Sequence, residues 1–307
     1  MKKLLFLYIG LALFCSCQII KQIDLAFKIN RMTKKTEENY NYGIKKSFII
    51  DKNFIFIPCR INNTTHFLFY DTKIGGLLHE SIPYNEEFPQ CKKTVKIKTK
   101  NSLKLSDYFK VGLKYYDLES DFFYFKNFVG IVTSQSNDSV TQKCISENYP
   151  YRFAIGREAF PNKDVTMLLS FSDTTITLFE SNYKYDTTGF SLVKSLYTCR
   201  GIAVCLLIDS IEYAFRFDTG YKEFLSLPQY EKHKKENEIS VIDTLFIQQT
   251  NNITISNLIS QTGNIHYSQK ITQPVLGMKF ISHFDWIIDL NKGKIYAKPV
   301  KEFYITY

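Results

Sequence analysis

The sequence predicts a mainly β chain with an internal duplication. Three observations predict it. Tyr, Phe, Ile and Thr are plentiful in the 307 residues while Ala is scarce, a bias toward strands over helices. From Lys46 onward, short apolar runs alternate with Asn, Asp, Ser and Gly turns, as in "SFIIDKNFIFIPCRINNTTHFLFYD", "FFYFKNFVGIV" and "VTMLLSFSDTTITLF", the mark of a chain of short strands. Three sequence blocks of the first half also recur, in the same order, in the second.

Residues 1–17, "MKKLLFLYIGLALFCSC", read as a unit of their own. Lys2 and Lys3 give a positive start, and Leu4 to Phe14 give an apolar run too short to span a bilayer, the layout of a secretory signal. Ser16-Cys17 resembles the lipobox of bacterial lipoproteins, although Phe14 and Cys15 depart from its usual residues. The resemblance implies export to the bacterial cell envelope and a lipid anchor at Cys17. An ordinary signal peptide cut nearby is the alternative. Residues 18–45 are polar and charged and read as a tether or short helix. No later run reaches the length of a transmembrane helix.

The first lobe is expected over 46–182 and the second over 183–307. With Asp71 placed on Asp218, "INNTTHFLFYDT" lies over "IDSIEYAFRFDT" without a gap. Each reads as a strand, a tight polar turn and a second strand ending in Asp-Thr. Downstream, "FAIGREAF" answers "PVLGMKFI", with Gly156 over Gly277. Then "MLLSFSDTTITLF" answers "WIIDLNKGKIYAK", each a pair of strands around a turn.

These blocks resemble the aspartic proteases of the retropepsin and pepsin group, over roughly residues 46 to 300 as judged from motif positions. "FRFDTG" followed by "PVLGMKFISHFDWIIDLNKGKIYAKP" is similar to the retropepsin-like unit, and the first half is a looser copy. Asp71 and Asp218 lie too far apart for one such unit, so the resemblance implies two fused, duplicated barrel-like lobes that face each other about a pseudo-twofold axis. It further implies that Asp71 and Asp218 form a catalytic dyad. Two carboxyls held together cannot both ionise cheaply, so such a pair retains one proton. The ionised member activates a water and the protonated member assists the carbonyl and the leaving nitrogen. Thr72 and Thr219 are implied to lock the two loops across the lobes, and Gly220 to let backbone approach the carboxylates.

The chain departs from the family pattern at three points. Lys73 stands where the first loop's glycine belongs; its Cβ and side chain are expected to press on the site and its ammonium to pair with a carboxylate. Ile74 and Tyr221 replace the small residues that usually follow. The sequence therefore supports three readings: a peptidase, a lobe pair that has lost catalysis and keeps a peptide-binding cleft, and an envelope protein docking a partner through an exposed aromatic face. The strands between Lys92 and Tyr116 are expected to form a flap.

Other chemistry finds little support. The net charge is +9, but its basic residues are scattered, as in "KKTVKIKTKNSLKL", and no nucleic-acid motif occurs. The five histidines lack metal-ligand spacing, and neither a Gly-x-Ser-x-Gly elbow nor a phosphate-binding glycine loop is present, so no metal or cofactor is expected. Of seven cysteines, Cys59, Cys91, Cys144, Cys199 and Cys205 follow the signal region, and spacing does not pair them. Asp289 is expected to cap its turn, His79 and His283 to be structural, and "EKHKKENE" (231–238) to be a solvated loop or helix end.

Overall fold

The structure, a computed structural model, describes residues 24–73, 77–82, 87–98, 108–134, 152–157, 159–161, 164–198, 201–208, 211–228, 240–242, 245–255, 260–268 and 271–300. The expected signal with Cys17, the positions Ile74, Gly75, Gly76, Cys144 and Cys199, and the 231–238 segment lie outside these residues. The chain is mainly β, as expected.

In chain order the first half runs β1 (Glu37–Tyr40), β2 (Lys45–Ser47), β3 (Ile49–Asp51), β4 (Phe54–Ile61), β5 (Thr64–Asp71), β6 (Leu78–Ile82), β7 (Lys93–Lys98), β8 (Tyr108–Ser120), β9 (Phe123–Ser134), β10 (Phe153–Gly156), β11 (Val165–Ser170) and β12 (Thr175–Glu180). Strands β4, β5, β10, β6, β9 and β8 pair in that order, and β8 returns to β4, closing a six-stranded barrel. Closure leaves these six strands no free edge.

The second half runs β13 (Ser191–Val193), β14 (Ser195–Thr198), β15 (Gly201–Ile208), β16 (Ile211–Phe217), β17 (Leu225–Pro228), β18 (Ser240–Ile242), β19 (Leu245–Ile255), β20 (Ser260–Ser268), β21 (Val275–Leu276), a short helix Met278–Ile281, β22 (Phe284–Asp289) and β23 (Lys294–Pro299). Strands β15, β16, β21, β17, β20 and β19 close a second barrel in the same order. The strand directions match too. Pairs β5–β10 and β6–β9 are parallel, and so are their counterparts β16–β21 and β17–β20. Of the flanking strands, β3 and β7 pair with β4 and β8 as β14 and β18 pair with β15 and β19. The repeat read from sequence is thus a repeat of topology.

A third sheet joins the lobes in the order β2–β12–β11–β22–β23–β13. Each half supplies one hairpin and one outer strand, so the order reads alike from either end. At its centre β11 meets β22 antiparallel, with Leu168 opposite Ile287. One continuous apolar core runs through both lobes, from Ile55 and Tyr70 to Trp286 and Ile295. A separate cluster of Phe54, Phe56, Phe69 and Ala154 packs on the other face of β4, β5 and β10.

Of residues 18–45, expected as a tether or short helix, the described part, 24–45, is built into the first lobe. Residues 24–33 are helical. Leu25, Ile29 and Met32, spaced to share one helix face, pack with Leu113 and Val129 of the barrel. Strand β1 then pairs with β9. The polar composition hid this three-residue stripe. No helix among the described residues is long and apolar enough to cross a membrane.

Candidate active site

Strand β4 turns back into β5 through Asn62 and Asn63, both at positive φ (47° and 67°), the backbone that a two-residue hairpin turn requires and Asn tolerates. This hairpin delivers Asp71 at the end of β5. Parallel strand β10 braces it, with Gly156 opposite Asp71. In the second lobe Asp218 follows β16 directly, and its N–H donates to Leu276 O of β21 at 3.0 Å. Both aspartates therefore sit at the exit of a strand held on one side by a parallel neighbour.

The two exits are tied together by the threonines. Thr72 N–H donates to Thr219 Oγ1 and Thr219 N–H donates to Thr72 Oγ1, both at 3.0 Å. Each hydroxyl then donates back across the seam, Thr72 Oγ1 to Phe217 O at 2.8 Å and Thr219 Oγ1 to Tyr70 O at 2.9 Å. The four bonds form two equivalent pairs, as duplicated lobes require. Arg157, following Gly156, donates from Nη1 to Thr72 O at 3.4 Å.

The carboxyls lie within this frame, with Asp71 1% and Asp218 2% exposed. Lys73 N–H donates to Asp71 Oδ1 at 2.8 Å, and Gly220 N–H donates to Asp218 Oδ1 at 3.1 Å, again a matched pair. A methyl group on Gly220 would collide with the Asp71 carboxyl, Cγ and Oδ2 first and Oδ1 at 2.7 Å. Gly220 is thus the point where the second loop's backbone touches the first lobe's acid. Burial, then the neighbouring Asp218 charge, push Asp71 up to about 7; the Lys73 N–H and ammonium act against this, and a hydrogen bond with Asp218 adds to it.

Lys73 does not fill the site. Its side chain is exposed, and its backbone supplies the carboxylate contact that the expected glycine would have made. The cation that reaches the pair is Arg216, which sequence reasoning did not single out. Its Nη2 donates to Asp218 Oδ2 at 2.9 Å. The signal was present in "FRFDTG", because residues i and i+2 of a strand share a face. At the matching place in the first lobe stands Phe69, packed against Phe54 and Phe56. Phe56 is opposite Phe69 on the neighbouring strand, whereas Ala203 is opposite Arg216. The smaller residue accommodates a guanidinium where the first lobe has a phenyl ring.

A cavity of about 310 Å³ adjoins the pair, lined by Asp71, Lys73, Arg216, Asp218, Tyr221 and Gln273, among others. Tyr221 points its hydroxyl to Ser226, and burial pushes that phenol up. Gly277 is needed by the same loop, since a Cβ there would strike the Glu223 and Tyr221 carbonyls.

Asp289 is fully buried and accepts from Lys292 N–H at 2.9 Å and Tyr185 Oη at 2.8 Å, a turn-holding role. His283 packs against Phe224 and Phe280. Burial lowers the basicity of both His79 and His283. Cys59, Cys91 and Cys205 are free thiols, and no cluster among the described residues has the makings of a metal site. Strands β7 and β8 form a hairpin, but the part of the expected flap over 99–107 is outside the described residues. Compared with protein-family models and with curated proteins, the chain matches none.

Proposed function

We propose that the chain is an aspartic-protease-like peptide-bond hydrolase in which Asp71 and Asp218 share a proton and activate a water. One observation carries this reading. Two buried carboxyls from duplicated barrels adjoin at the seam, each held by the N–H two residues on and both framed by the reciprocal threonine bonds. The sequence resemblance to the aspartic proteases supports the same conclusion.

The chemistry follows from the charge of the pair. Ionising both acids in a site this buried is costly, so below about pH 7 one proton remains between them. The ionised member draws a proton from water as its oxygen attacks the peptide carbonyl. The protonated member donates to the carbonyl oxygen, so no free oxyanion has to form. Collapse of the resulting diol breaks the C–N bond and a proton passes to the nitrogen. The cavity beside the pair provides room for a substrate side chain. No cofactor is required. The N-terminal sequence supports export and anchoring at Cys17, and metabolic labelling with a fatty-acid analogue, lost in Cys17→Ala, tests that anchor.

A second reading, a cleft that binds peptides without cutting them, is favoured by the Arg216–Asp218 ion pair, which removes the symmetry of the two acids. A mixed peptide library incubated from pH 3 to 8 separates the two. Hydrolysis lost in Asp218→Asn supports the peptidase. Peptides retained yet uncut at every pH, by both forms, support the binding module.

A further inference from the structure

Between the lobes the threonines, the backbone donors and the barrel strands are matched, while Arg216 and its mate Phe69 are not. Arg216 reaches Asp218 Oδ2 at 2.9 Å from the same face of β16, with its side chain 19% exposed and that of Asp218 3% exposed. Among the described residues no cationic side chain forms an ion pair with Asp71: Lys73 contacts it through its backbone N–H, its side chain is exposed, and its ammonium acts on the carboxyl only at longer range. Arg216 lines the cavity and is flanked by Ala203 and Val275 on the strands either side.

We propose that Arg216 is a positioning residue that divides the labour of the pair, holding the negative charge at Asp218 and the transferable proton at Asp71. A partly buried guanidinium in direct contact with one of two adjacent carboxyls makes ionisation at that carboxyl the cheaper microstate. The other charged and titratable groups facing the pair do not reverse this. Arg157 bonds the Thr72 carbonyl, Tyr70 and Tyr221 are neutral phenols raised by burial, and Glu223 is paired with Lys279 at 2.9 Å. The high value of Asp71 agrees with the assignment.

The roles in hydrolysis, which rest on the peptidase reading, are then fixed. Asp218 takes a proton from water while the water oxygen bonds the carbonyl carbon, and Asp71 gives its proton to the carbonyl oxygen. In the second step the C–N bond breaks, the nitrogen receives the proton from Asp218, and Asp71 recovers its own from the diol hydroxyl. Both acids return to their starting states.

The side-chain carboxyl carbons, labelled with carbon-13, test the assignment without requiring any cleavage. In the unmodified protein the Asp71 carbon should move through its full protonation shift in one step as pH rises, with only a minor response at Asp218. In Arg216→Gln, or in Arg216→Phe carrying the mate's residue, the two carbons should move together in both steps, and Arg216→Lys should restore the single-site pattern. Equal movement of both carbons in the unmodified protein overturns the assignment, as does an unchanged pattern in folded Arg216→Gln. A protein that cuts no peptide yet titrates as described refutes the peptidase reading and leaves the role of Arg216 standing.

Discussion

Thr72 and Thr219 each donate a backbone N–H to the other's hydroxyl at 3.0 Å, and each hydroxyl donates a hydrogen bond to a carbonyl across the seam. Both side chains are buried, so water does not replace a lost partner. Thr219→Val keeps the shape but leaves Thr72 N–H and Tyr70 O unsatisfied. It should destabilise the fold by roughly 2–4 kcal/mol, measured by urea unfolding followed through the fluorescence of the sole tryptophan. The double variant with Thr72→Val breaks the other two of the four bonds, so it should cost about the two single costs added, and a departure from that sum measures the coupling across the seam.

Gly220→Ala inserts a methyl group into the Asp71 carboxyl. The second loop must retreat, which separates the acids without unpacking either barrel. Peptide cleavage should fall by roughly 100-fold, while far-ultraviolet circular dichroism stays that of the parent. Gly43→Ala, where a Cβ meets nothing but φ is +78°, serves as a control that strains the chain away from the seam and should leave cleavage unchanged.

Stability should depend on pH through Asp71. Its carboxyl is raised from an ordinary 3.8 to about 7, so the folded chain holds a proton that the unfolded chain releases. That contribution is fully present below about pH 4 and is lost as pH rises through about 7. The loss is on the order of 4 kcal/mol. Asp71→Asn should flatten this part of the curve of unfolding free energy against pH, measured by urea titration at half-unit steps.

The duplicated fold was legible because its punctuation is local. Two strands, a polar turn and Asp-Thr can be matched by eye, and "FAIGREAF" against "PVLGMKFI" carries the bracing strands in register. The threonine bonds followed from the resemblance, and the structure has them. What was not legible depended on which way side chains point. Lys73 looked like the intruder because it replaces a glycine, yet a backbone N–H does not depend on the side chain, and the long chain turns to solvent. Arg216 was overlooked inside a strand that reads as hydrophobic, although its two-residue spacing from Asp218 put both on one face. Leu25, Ile29 and Met32 were masked by the charged residues between them.

Trp286 holds the middle of the sheet that joins the lobes. Its Nε1–H donates to Ile281 O at 2.8 Å, and its ring meets Phe217 and Phe284 edge-on. Trp286→Phe removes the donor and opens a small cavity, and should cost roughly 2–4 kcal/mol. Because the core is continuous through both lobes, calorimetry should record one unfolding transition, shifted to lower temperature, rather than two.

The coupling of the acids across the seam is tested most directly by following the Asp71 carboxyl carbon through pH 3 to 9 in the parent and in Asp218→Asn. Loss of the neighbouring charge and its hydrogen bond should lower the Asp71 midpoint from about 7 by a unit or more. A midpoint that stays where it was would mean that the two carboxyls do not sense one another, and the dyad would not exist.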